Sequence, residues 1–173
     1  RKIHHEWDRI KQISDSIRRG QLPGVTGSMI RDVLVVGRGV PVMALRFIYL
    51  ALCKDETATI GRKAGLNDIN NRLRGGGGIR RIKFLTSADP VRAAGVVGDL
   101  DPATTLVISI ALRGNEETLI ATNTLKIWLL QSLGNGRRTE AVFGKHMMLV
   151  TGNKKITSGL KRESVLIVPE SAR

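Results

Sequence analysis

The sequence predicts an α/β domain: a parallel β-sheet with helices on both faces. Short β-branched runs alternate with longer segments of helical periodicity, the pattern of repeated strand–helix–strand units joined by right-handed crossovers. Runs such as Val33-Leu-Val-Val36 are apolar throughout instead of alternating, as strands covered on both faces are. A length of 173 residues with 42% hydrophobic content suits one domain with one sizeable core.

The elements follow in order. Ile3, Trp7, Ile10, Ile13 and Ile17 recur at spacings of three and four, which predicts a helix with one apolar stripe ending at Gly20. Val33 to Val36 is a buried strand stopped by Gly37, and Pro41 to Leu52 is the helix after it. Cys53, the single cysteine, closes an apolar helical run and reads as a packing residue. Alone, it excludes an internal disulfide and a multi-cysteine zinc site. Ile82 to Thr86 is a strand, Asp89 caps a short helix through Val97, and Pro90 occupies its first position. Thr105 to Ile110 makes a further strand, Glu116 to Leu133 a long helix with Asn115 as its cap and Gly134 as its stop, and His146 to Thr151 another strand. Val165-Leu-Ile-Val168 supplies the last.

Between these elements, Lys54 to Ile82 forms a basic insertion around Gly75-Gly-Gly-Gly78, with few apolar anchors. Segments of this kind are functional or disordered. Arg62, Lys63, Arg72, Arg74, Arg80, Arg81 and, just beyond, Lys83 are candidate RNA or anion contacts, joined by the pairs Arg137-Arg138, Lys154-Lys155 and Lys161-Arg162. Lys and Arg total 28 against 15 Asp and Glu, a formal net charge of +13, which favours polyanionic partners. Aromatic residues are too sparse for a base-stacking platform, so phosphate recognition is expected over base reading. No apolar run reaches the ~18 to 20 residues that cross a bilayer, and membrane insertion is not expected.

Several blocks carry a family resemblance. Ile3-His4, Asp8 to Gly20, Gly24-Val-Thr-Gly27, Arg31-Asp-Val33, Lys83-Phe-Leu-Thr-Ser-Ala-Asp-Pro-Val91, Leu100-Asp-Pro-Ala-Thr-Thr-Leu-Val107, Glu117-Thr118, Asn123-Thr-Leu125 through Trp128, and Lys145-His-Met147 occur in order. From about Ile3 to about Asn153 they resemble the amino-terminal sugar isomerase (SIS) domain of phosphoglucose isomerase. The resemblance implies a flavodoxin-like, three-layer α/β sandwich, with residues 1–173 as a single SIS-like domain carrying an insertion at about 54–82.

The same resemblance implies a degenerate phosphosugar site at Gly37, Gly39, Val40, Pro41, Arg113, Asn115, Glu117 and Thr118. Where the family has a turn of the form G-I-G-G-S-x-L-G-P, this chain reads Gly37-Arg-Gly-Val-Pro-Val-Met-Ala-Leu45. Val40 replaces a glycine and Pro41 the serine, and proline has no N–H to offer an anion. The family's hydroxyl-rich S-K-T-F-T-T-x-E-T run corresponds to Ile110-Ala-Leu-Arg-Gly-Asn-Glu-Glu-Thr118, in which Glu117 and Thr118 survive. Arg113 keeps a donor suited to phosphate, whereas Asn115 and Asp89-Pro90 are explained by helix capping. The family's W-V-G-G-R-Y-type motif is absent from the sequence. His4, His5 and His146 read as structural.

The function expected from these observations is a non-catalytic structural subunit of a large RNA-containing assembly, with a mitochondrial ribosome as the specific expectation. RNA and neighbouring protein subunits are then its partners, and no catalytic residue, metal, cofactor or small-molecule substrate is expected. A chain starting at Arg1 is consistent with a processed protein of the mitochondrial matrix, with the cytoplasm as the other location. The alternatives are a phosphosugar-binding regulatory domain or residual glucose-6-phosphate isomerase fragment, and a subunit of a protein-only complex.

Overall fold

The computed structural model describes residues 2–52, 81–134, 136–153 and 164–168, with side chains described except at 2–6 and 52. Cys53, Arg62, Lys63, Arg72, Arg74, Arg80, Lys154, Lys155, Lys161 and Arg162 lie outside the described residues. The elements are α1 (Lys2–Arg18), β1 (Asp32–Gly37), α2 (Val40–Leu52), β2 (Arg81–Leu85), α3 (Pro90–Val97), a 3-10 turn (Pro102–Thr104), β3 (Thr105–Ala111), α4 (Glu116–Leu133), α5 (Thr139–His146), β4 (Met147–Thr151) and β5 (Val165–Ile167).

The strands form one parallel sheet in the order β2-β1-β3-β4-β5. Every residue of β1, an interior strand, is buried, as its apolar run from Val33 to Val36 requires. On one face Leu34, Val36 and Val107 pack with Leu125 and Leu129 of α4, Ala93 of α3 and Phe143 of α5. On the other, Val33 and Val35 meet Val42 of α2, while Leu106 meets Ile17 of α1. Three layers result, the flavodoxin-like α/β sandwich that the sequence predicts.

Local chemistry sets the boundaries. Asp89 accepts the Val91 N–H at 2.9 Å and Pro90 opens α3, while Asn115 accepts the Glu117 N–H at 2.9 Å to start α4. Glu116 and Glu117 in the first turn of α4 complement its dipole. α1 ends with Gly20 at φ 63 and bonds from Gly20 N to Ile17 O and from Gln21 N to Ser16 O, the paired closure that a left-handed glycine permits.

Two features depart from the sequence reading. The α1 stripe is used over half its length: Ile17 is buried and Ile13 packs beside it, but Trp7 is 67% exposed and Ile10 is exposed. A helix of 17 residues is about 25 Å long and overruns the short strands it crosses. The second departure is α5, which has no counterpart in the sequence reading because its 8 residues include Gly144 and offer little periodicity.

Candidate functional site

In a sheet of this order, the connections from β1 and β3 leave in opposite directions and open a crevice at the carboxyl ends of those strands. Its walls are the turn from Gly37 into α2 and the start of α4, brought together by the pairing of Gly37 with Ile110. Gly37 is required by close approach: a Cβ there would lie 2.7 Å from Val42 Cγ2 and 2.8 Å from Ile110 O. Gly39, at φ 87, takes a left-handed conformation, and its carbonyl accepts the Met43 N–H as α2 begins.

Helix α2 starts at Val40, and Pro41 occupies its second position, where the missing N–H removes one donor from the turn. Val40 is 80% exposed. Across the crevice the Arg38 guanidinium donates to Glu117 Oε2, joining the β1 turn to the first turn of α4. The space left beneath, lined by Gly37, Leu85, Ser87 and Thr118, is about 10 Å³, enough for about one water molecule.

Thr118 Oγ1 lines this space, is buried, and has no hydrogen-bond partner among the described residues. Its carbonyl instead accepts from Thr122 Oγ1, which lies 2.7 Å from Ser109 Oγ. Arg113 is exposed at the rim and Asn115 serves as the α4 cap. Of the residues the resemblance implies, Gly37, Glu117 and Thr118 line this space while Val40 faces solvent, and the half-exposed Arg38–Glu117 ion pair that spans it was missed by the sequence reading. Arg38 in the turn was the available signal.

The described basic candidates lie elsewhere. Arg81 makes a two-pronged contact with buried Asp32, at 3.1 and 3.0 Å, and also donates to Asp99 O. Lys83 Nζ bonds Asp99 Oδ1 at 2.5 Å and Val96 O at 3.1 Å; that ammonium holds the Asp99 carboxyl below its usual pKa. Both cations are thus tied into the fold. Arg137 donates to Leu133 O at the end of α4, and Arg138 is exposed at the start of α5 without a side-chain capping bond.

All four reach the amino-end side of the sheet, opposite the crevice. The return of every crossover to the start of the next strand puts further basic residues there. Arg18 and Arg19 at the end of α1, Arg31 before β1 and Lys145 before β4 are all exposed, and sequence reasoning missed them as a group because they are far apart in the chain. His146, by contrast, is fully buried. Its Nδ1 lies 2.9 Å from Thr105 O and its Nε2 accepts the Val25 N–H at 2.9 Å. It is a structural residue, as expected. Among the described residues no group of His, Cys, Asp or Glu could hold a metal ion, and no helix is long and apolar enough to cross a membrane.

Comparison with known proteins agrees with this architecture. The profile of the family described as phosphoglucose isomerase matches residues 1–167. The chain is 34% identical over 150 residues to the cytosolic A glucose-6-phosphate isomerase of Oryza sativa subsp. japonica, and 35% identical over 150 residues to the cytosolic enzyme of Zea mays; each match covers 86% of this chain and 23% of the relative. The cytosolic isomerase of Arabidopsis thaliana is 31% identical over 153 residues, 88% of this chain and 24% of the relative. The chain thus spans about a quarter of the length of these curated relatives. A hypothetical protein of Thermus thermophilus, 20% identical, shares the fold with a TM-score of 0.53 over 83% of this chain and 29% of that one. On the profile match across nearly its whole length, this chain belongs to the phosphoglucose isomerase family.

Proposed function

We propose that this chain is a non-catalytic subunit of an RNA-containing assembly, in which an isomerase domain has been reused as a polyanion-binding module. The observation that carries the reading is the separation of two ends of one sheet. At the carboxyl end the space beneath the Arg38–Glu117 pair holds about one water, and the guanidinium is engaged by a carboxylate. Arg18, Arg19, Arg31, Arg138 and Lys145, on segments that lead back toward the starts of strands, are exposed in a chain of net charge +13.

Several cations on one side suit the backbone of a nucleic acid, which is held by phosphate contacts without base reading. A mitochondrial ribosome remains the specific assembly proposed. The test is sedimentation of the native protein on a gradient: it should travel with large particles and leave them on nuclease treatment. Sedimentation as a small species, unaffected by nuclease, would contradict the proposal.

The Thr118 hydroxyl, without a partner among the described residues, favours a second reading. A small anion entering after the Arg38–Glu117 pair opens would gain that hydroxyl and the amino terminus of α4, and the names of the relatives make a phosphosugar the candidate. Calorimetric titration with fructose 6-phosphate separates the two readings: saturable heat supports the second, and a flat trace removes it.

A further inference from the structure

Among the described residues, Lys126 is the lysine that the fold covers without supplying a counter-ion. It rises from the middle of α4, half-buried, and its Nζ stands over the ring of Phe143 on α5, 5.7 Å from the centroid. Phe143 is itself buried in the core. Among the described residues no carboxylate pairs with the ammonium. The acids on the elements around it are Glu116 and Glu117 in the first turn of α4, Glu140 on α5, Asp101 before the 3-10 turn and Asp32 on β1; Glu117 and Asp32 are taken by Arg38 and Arg81. The basic groups of α5, Lys145 and His146, offer it no anion. The other described lysines are placed differently. Lys83 is fastened to Asp99, and Lys11 and Lys145 are exposed to water.

A cation that loses hydration without gaining an anion is destabilised relative to its neutral form. The ring face attracts the ammonium, but it replaces only part of the lost hydration, and burial lowers the Lys126 pKa with no charged neighbour to oppose it. The neutral amine is the nucleophile, so the same burial enlarges the fraction of Lys126 able to react near neutral pH.

We propose that Lys126 is an acylation site, at which a small acyl phosphate transfers its acyl group to Nζ in preference to Lys11, Lys83 and Lys145. The neutral Nζ attacks the carbonyl carbon. The N–C bond forms, the C–O bond to phosphorus breaks, and the departing phosphate takes up the proton that nitrogen releases. An anionic donor suits a chain of net charge +13. The amide product carries no charge, so it removes the cost of covering a cation while the aliphatic stem keeps its place beside Phe143. This site does not rest on the RNA reading, because Lys126 is not among the cations assigned to phosphate contact.

The experiment is incubation of the purified chain with limiting acetyl phosphate, followed by peptide mass spectrometry, with Lys11 and Lys145 as internal references. Near neutral pH, Lys126 should acylate faster than either reference by roughly threefold or more, and the advantage should narrow at about pH 10, where all three amines are substantially neutral. Urea should abolish the preference. Asn123→Asp puts a carboxylate one turn from Lys126 at an exposed position, where it should hold the ammonium charged and slow Lys126 alone near neutral pH; a melting curve confirms that the variant folds. Lys126 reacting no faster than Lys11 and Lys145, a preference that survives urea, or a rate indifferent to Asn123→Asp in the folded variant would overturn the proposal.

Discussion

His146 Nε2 accepts the backbone N–H of Val25 across 121 positions of sequence, at 2.9 Å, and fixes the segment after α1 against the start of β4. Acceptance at Nε2 puts the ring proton on Nδ1, facing Thr105 O at 2.9 Å. The imidazole must be neutral for both bonds to exist, and burial lowers its pKa, opposed by the Thr105 carbonyl and by Asp101.

Stability should therefore fall on the acid side. A folded-state pKa below the unfolded value of about 6.5 means that the unfolded chain binds the additional proton, so the contribution is complete above that value and is lost as pH falls through the folded pKa. Thermal melts from neutral to mildly acidic pH should show a falling midpoint. His146→Ala should flatten that part of the profile and cost about 2 to 4 kcal/mol, leaving the Val25 N–H unpaired beside a cavity. An unchanged pH profile in the variant would assign the titration to another group.

Gly24→Ala tests the same junction from the other side. A Cβ at Gly24 would stand 2.7 Å from His146 Cε1 and 2.8 Å from Ala103 O. Overpacking of this kind costs about 1 to 3 kcal/mol. Denaturant unfolding should show a lower midpoint with an unchanged slope.

Arg81→Ser should destabilise the fold, because it strips the partner from Asp32, which is 4% exposed. Removing one member of a fully buried pair costs about 3 to 5 kcal/mol; with the Arg81 side chain 42% exposed, about 2 kcal/mol is expected after solvent screening. The double variant Asp32→Asn with Arg81→Ser should recover part of the loss, measurable as a coupling energy in denaturant melts.

The crevice responds to different changes. Val40→Gly with Pro41→Ser restores small residues and an N–H at the start of α2, and Glu117→Gln weakens the Arg38 bridge. The triple variant should gain weak binding of fructose 6-phosphate by calorimetry without turnover. Measurable turnover by the unaltered chain would contradict the non-catalytic reading.

The sheet and its caps were legible in the sequence because strand burial, Asp89-Pro90 and Asn115 each leave a local signature. The location of the crevice was legible too, since it follows from strand order. Its closure was not: Arg38 and Glu117 are 79 positions apart, and periodicity carries no information about such a pair. Arg81 shows the same limit. Beside an arginine-rich insertion it reads as a free surface charge, and its bond to Asp32 emerges only from the register that sets β2 against β1.

The most direct test of the central claim is the affinity of the pure chain for single-stranded RNA as a function of salt. Log affinity should fall linearly with log salt, by roughly 0.7 per phosphate neutralised, and Arg18→Ser with Arg19→Ser and Arg138→Ser should shallow the slope while leaving the melting transition in place. Undetectable RNA binding at low salt, or binding with a flat salt response, would contradict the account.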